Sequence, residues 1–163
     1  MRSSYGPSSY DDDYCLKPPL LLWLATLYLS RAILLPLLMG MGSAMGANRD
    51  ALKLFRDLWS VEALIPSTIA AAVFFALLRR APSASGAVRW IWGRGRLFLT
   101  VAAVLDLMLS VLPLVKTLEL DAQTAPSLFA GAADLYFLLY VLLARRVRDT
   151  FGDFPPRIET PKK

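Results

Sequence analysis

The sequence has no histidine and a single cysteine, Cys15. An intramolecular disulfide is therefore excluded, along with metal sites built from histidine or paired thiolates and the Ser-His or Cys-His pairs of nucleophilic catalysis. Charge is sparse in a particular way: four blocks, residues 20–41, 61–78, 97–115 and 127–144, hold almost no ionisable side chains. What is abundant is apolar surface, 56% of 163 residues, with a mean hydropathy of +0.47.

Each block has the roughly 18–22 residues that cross about 30 Å of hydrocarbon at 1.5 Å per residue. None shows the polar stripe of a helix lying on a soluble core. The run IAAAVFFALL at 69–78 is apolar all round, which means burial on every side. The expected fold is thus an all-α membrane protein, a four-transmembrane-helix bundle spanning 18–144, with tails at 1–17 and 145–163. The first block follows a long acidic lead and contains Arg31, so a retained span is expected and not a cleaved signal. Cys15 stands at the expected membrane edge; Asp-Asp-Tyr before it is unlike a lipoprotein signal, and a free thiol is expected.

Positive charge sorts by side. Arg2, Lys17, Arg79, Arg80, Arg89, Arg94, Arg96 and the basic residues from Arg145 onward share one face of a four-span plan, against Arg49, Lys53, Arg56 and Lys116 on the other. Positive charge stays inside, which places both termini in the cytoplasm. Arg79-Arg80 and Arg145-Arg146 follow spans two and four as stops. Pro18 and Pro19 mark the start of span one, with Lys17 anchoring it in headgroups. The acidic run at 11–13 is either solvated or paired with the arginine-rich middle loop on the same side, and solvation is the preferred expectation, since surface pairs contribute little.

Between spans one and two, glycines break the helix and Asn48 restarts it. Leu52, Phe55, Leu58 and Trp59 recur at helical spacing against Arg49, Lys53, Arg56 and Asp57, as in a short amphipathic interfacial helix. GMGSAMG follows no strand and lacks the spacing of a phosphate-cradling loop. The middle loop, RRAPSASGAVRWIWGRGR, interleaves arginine with Trp90 and Trp92. Beside two spans this composition is expected to face lipid headgroups and not nucleic acid, so Lys17, Trp59, Trp90 and Trp92 are the candidate interfacial anchors. The C-terminal tail is rich in proline and expected to be disordered.

Three ionisable residues interrupt the spans: Arg31, Asp106 and Asp134. Counted from the cytoplasmic edge, they lie roughly 16, 14 and 15 Å deep, near the bilayer centre. Alone, each would cost about 2.5–3.5 kcal/mol, and an arginine side chain is too short to reach the interface from there. Mutual pairing is the expected solution, with the Ala32 carbonyl, freed by Pro36, as a further acceptor. One guanidinium facing two carboxylates leaves an uncompensated charge, so one acid is expected to hold a proton. Thr26, Ser30, Ser67, Thr68, Thr100, Ser110, Tyr136 and Tyr140 are expected to hydrogen-bond between helices, and Ala70, Ala102, Ala103 and Gly131 to allow close packing. No catalytic residue, metal or cofactor is predicted.

The stretch DDDYCLKPPLLLWLATLYLSR, residues 11–31, resembles the opening of the YfeZ-like family of small bacterial inner-membrane proteins. The resemblance rests on the acidic lead, Leu16-Lys17-Pro18-Pro19, Trp23 and Arg31. It implies an inner-membrane location and no activity. The expected function is a non-enzymatic membrane subunit or accessory protein held by its buried charges, with the bilayer and a membrane-protein partner or second copy as its contacts. The competing expectation is a small proton- or ion-coupled transporter or channel component using Asp106 or Asp134.

Overall fold

A computed structural model describes residues 5–11, 14–44, 61–117 and 125–156. The expected interfacial helix, Trp59 included, lies outside these residues, as does the end of the tail. Among the described residues the chain forms seven α-helices and no strands: α1 (Leu20–Leu29), α2 (Arg31–Ala44), α3 (Leu64–Leu78), α4 (Gly86–Gly93), α5 (Gly95–Thr117), α6 (Ala125–Leu143) and α7 (Arg145–Gly152). A single 3-10 turn, Pro7–Ser9, and one isolated antiparallel bridge between Tyr10 and Leu16 organise the N-terminal segment.

Pro19, with extended φ and ψ, hands the chain to α1, where a missing N–H costs nothing. Ser85 caps α4 by accepting from the Val88 amide. α5 and α6 make the most extensive pairing, and α3 packs across α1 and α5. Small residues permit this closeness, since Ala70, Ala76, Ala102 and Ala103 are all fully buried between helices.

The helices depart from the expected spans. Among the described residues, by length and composition, α5 alone is long and apolar enough to cross a membrane, through Gly95–Leu112; two further candidates are bent pairs, α1 with α2 at 79° and α6 with α7 at 63°. α3 has 15 residues, about 22 Å, short of a full hydrocarbon thickness. The first apolar block is therefore not one rod, and its break falls at Ser30 and not at Pro36, which sits inside α2.

The cause of that break is legible in the hydroxyls. Thr26 Oγ1 donates to the carbonyls of Leu22 and Trp23, and Ser30 Oγ donates to that of Thr26 at 2.7 Å, back-bonding that bends helices. An unbroken helix would take the Ala32 amide to Tyr28 and the Ile33 amide to Leu29. Instead Ile33 bonds to Ser30, while Ser67 Oγ, from α3, accepts from the Ala32 amide at 3.2 Å and donates to the Leu29 carbonyl at 2.8 Å. One serine thus takes two of the backbone groups that the break leaves open, the Ala32 amide and the Leu29 carbonyl. Ser67 and Ser110 do bond between helices as expected, whereas Thr26, Ser30, Thr68 and Thr100 bond within their own.

At the opposite end of α1 the chain forms a folded cap. The tail expected to be disordered from residue 145 begins with α7, which buries Val147, Thr150 and Phe151 at helical spacing. Trp92, expected at a headgroup surface, is buried at 1% exposure, its indole N–H donating to the carbonyls of Thr150 and Asp153. The ring is needed to fill the space between α4 and α7, where it meets Phe151 and Phe154. Trp90 is exposed, with the Arg94 guanidinium 4.5 Å above its ring, and Lys17 is exposed too.

Arg80 is the organiser of this cap. Its side chain is only 4% exposed, stacks over Trp92, and donates to Asp11 Oδ2, the Leu16 carbonyl and the Asp153 carbonyl. Asp11 is therefore paired and not solvated; Asp12 and Asp13 lie outside the described residues. Arg89 ties Pro82, Ala84 and Pro155 through their carbonyls, and Arg96 takes those of Val141 and Leu142 where α6 ends. Tyr5 to Asp149 and the Leu16 amide to Asp153 join the N- and C-terminal segments on one side of the bundle.

Candidate functional site

Arg31 begins α2 immediately after the Ser30 break, so its side chain leaves the elbow toward α5 and α6. There it meets Asp106 in a forked pair: Nη1 to Oδ2 at 2.5 Å and Nη2 to Oδ1 at 3.1 Å. The fork satisfies both carboxylate oxygens and fixes the guanidinium plane, which a lysine could not do. Nη1 also donates to the Tyr28 carbonyl at 3.4 Å, the acceptor that the helix break has released. The Tyr28 ring lies 4.4 Å below the guanidinium carbon, and its hydroxyl donates to the Ala130 carbonyl of α6. Sequence reasoning missed Tyr28; its place three residues before Arg31, across the Ser30 break, was the available signal.

Asp134 reaches the same site from α6. Its Oδ1 stands 3.9 Å from Arg31 Nη1, and its Oδ2 accepts from Ser110 Oγ at 2.8 Å. The three charged residues are not equally sheltered: the side chains are 24% exposed for Arg31, 3% for Asp106 and 0% for Asp134. Two carboxylates from different helices therefore converge on one nitrogen, and only one of them is fully engaged. Asp134 Oδ1 is buried without a hydrogen-bond partner.

The outer surface around this centre is apolar. Leu24, Leu27, Leu37, Ile65, Phe75, Val101, Met108, Leu112, Phe129, Leu135 and Leu139 are exposed, while Thr26, Ser30, Ser67, Asp106 and Asp134 are buried. Polar inside and apolar outside inverts the arrangement that water selects. Of the other candidate residues, Trp90 and Lys17 lie on the surface at the cap end, Trp92 is interior, and none of them approaches the cluster. Among the described residues no group of three acids or thiols has metal-binding geometry. Cys15 is buried, and burial, with the Asp153 carboxylate nearby, pushes its thiol up to about 11.

Among the described residues, the fold and site define an all-helical chain organised around a part-buried arginine and two buried aspartates. The chain belongs to the family described as "Protein of unknown function (DUF2919)", whose model matches residues 5–153. That match takes in the N-terminal segment, every helix and the cap, and it carries neither the YfeZ-like name nor a membrane location. No curated protein and no solved structure matches the chain.

Proposed function

We propose that the chain is a multi-pass protein of a bacterial inner membrane, entered by four apolar segments with both termini cytoplasmic, and that it serves as a non-enzymatic membrane subunit or accessory protein. One observation carries this reading: Arg31, Asp106 and Asp134 are gathered inside a shell whose outer face is leucine, isoleucine, valine and phenylalanine. A low-dielectric exterior makes the forked pair strong and makes its separation costly, so the cluster acts as a lock on helix register. The arginine-rich cap at one end, with Trp90, Arg94 and Lys17 exposed, suits anionic headgroups, and the contact between the two terminal segments supports a shared side. The partners are the bilayer and another membrane protein or a second copy of this chain.

The test is alkaline extraction of membranes, followed by mild detergent solubilisation and mass measurement of the intact assembly. The chain is expected to stay in the pellet and to emerge in a stoichiometric complex that Arg31→Leu disperses. Release by alkali would overturn the membrane assignment, and a monomer in both wild type and variant would overturn the subunit role.

A second reading has its own observation, the unpartnered Asp134 Oδ1 beside a fixed cation. Under it the protein is a proton- or ion-coupled transport component, and Asp134→Asn leaves a folded chain that no longer carries protons in sealed proteoliposomes. Equal flux in the variant rejects that role.

A further inference from the structure

A dry interior tolerates a charge cluster when its net charge is close to zero. Arg31 supplies one positive charge, while Asp106 and Asp134 would supply two negative ones. α3, LIPSTIAAAVFFALL, brings no ionisable side chain, and among the described residues the other polar neighbours are the Tyr28 phenol from α1 and the Ser110 hydroxyl from α5. Nothing in this set balances the second carboxylate.

The two acids differ in what their oxygens do. Asp106 spends both on the guanidinium. Asp134 gives Oδ2 to Ser110 and has Oδ1 buried with no hydrogen-bond partner, 3.9 Å from the same Arg31 nitrogen that holds Asp106 Oδ2. As a carboxylate, Asp134 would set one acceptor against another on that nitrogen. As a carboxylic acid, the same Oδ1 becomes a donor beside an acceptor.

We infer that Asp134 and Asp106 form a proton-binding site, in which Asp134 carries the proton on Oδ1 and donates it to Asp106, while Asp106 stays ionised on Arg31. The cluster is then neutral. A guanidinium 3.9 Å away excludes a metal cation from the same place by charge, so the ligand is a proton. Binding converts one carboxylate to the acid and changes no other bond. Its loss sets two carboxylates competing for a guanidinium on the first residue of α2, which links proton occupancy to the elbow. The inference rests on the buried-cluster reading above and is independent of whether the chain is a subunit or a transporter.

Infrared spectra of the full chain in mild detergent, in H2O and D2O at neutral pH, test it. The expected result is the carbonyl stretch of a neutral carboxylic acid, shifted by deuterium and absent in Asp134→Asn. Asp134→Glu should keep the band and move it, which covers the case in which the asparagine variant does not fold. The melting temperature of Asp134→Asn should stay close to wild type, because an amide reproduces the donor and acceptor of the neutral acid, whereas Asp106→Asn should lower it. A wild type with no such band, or a band that neither Asp134 variant alters, overturns the proposal. Failure of the membrane assignment would show separately, as release on alkaline extraction, and leaves the infrared result standing.

Discussion

Arg31 and Arg80 each lie over an aromatic ring and each meet an aspartate, yet they use their donors differently. Arg31, at the elbow between α1 and α2, gives a fork to the Asp106 carboxylate. Arg80, in the cap, gives one contact to Asp11 and the others to the carbonyls of Leu16 and Asp153. The difference follows from surroundings. Beneath an apolar shell a charge must be neutralised, whereas at the end of a bundle the pressing need is to satisfy the backbone of irregular segments.

That contrast predicts unequal losses. Arg31→Leu leaves two buried acids without a cation and should cost about 3–5 kcal/mol. Arg80→Leu leaves Asp11, itself 29% exposed, and the carbonyls of Leu16 and Asp153 without their donor, and should cost about 1–3 kcal/mol. Unfolding of both variants in the same detergent measures the difference, and equal losses would erase the distinction between the two sites.

Much of the first region was legible beforehand. Helix rise converts residue counts into distance along each apolar block, so Arg31, Asp106 and Asp134 could be set at one level from spacing alone. The elbow was not legible, because an apolar run reads the same whether straight or bent. Its instruments, Thr26, Ser30 and Ser67, look like ordinary hydroxyls until the facing helix is known. In the cap, arginine and tryptophan have one composition whether they face headgroups or fill a core, which is why Trp92 and Arg80 were misplaced. The signal for α7 was present: Val147, Thr150 and Phe151 repeat at three and four residues, just ahead of the prolines on which the expectation of disorder rests.

Ser67→Ala sharpens the account of the elbow. It strands the Leu29 carbonyl and the Ala32 amide in a buried setting, for an expected loss of about 1–3 kcal/mol. Ser67→Thr, which keeps the hydroxyl, should recover part of it. Gly95→Ala makes the matching probe of the cap, since a Cβ there would run into the Phe151 ring and force it off α5. A loss of about 1–3 kcal/mol is expected, seen as a lower melting temperature together with protease cleavage near α7.

The smallest effect concerns Cys15. Its thiol is raised from 9.0 to about 11, so below 9 it is neutral in both folded and unfolded chains and stability does not depend on it. Between 9 and about 11 the unfolded chain loses the proton while the folded chain keeps it, and stability should fall as pH rises through that window. Alkylation at neutral pH should be slow in the folded protein and fast after denaturation; rapid labelling of the folded form would show that the N-terminal segment does not cover the thiol.

The central claim is that Arg31 and Asp106 hold the elbow against α5 as a directly coupled pair. A double-mutant cycle with Arg31→Leu, Asp106→Leu and the combined variant, followed by unfolding in detergent, measures that coupling without reference to function. The account predicts a coupling energy of about 2–3 kcal/mol, with the double variant more stable than Arg31→Leu alone. Losses that simply add, to within about 0.5 kcal/mol, would contradict it.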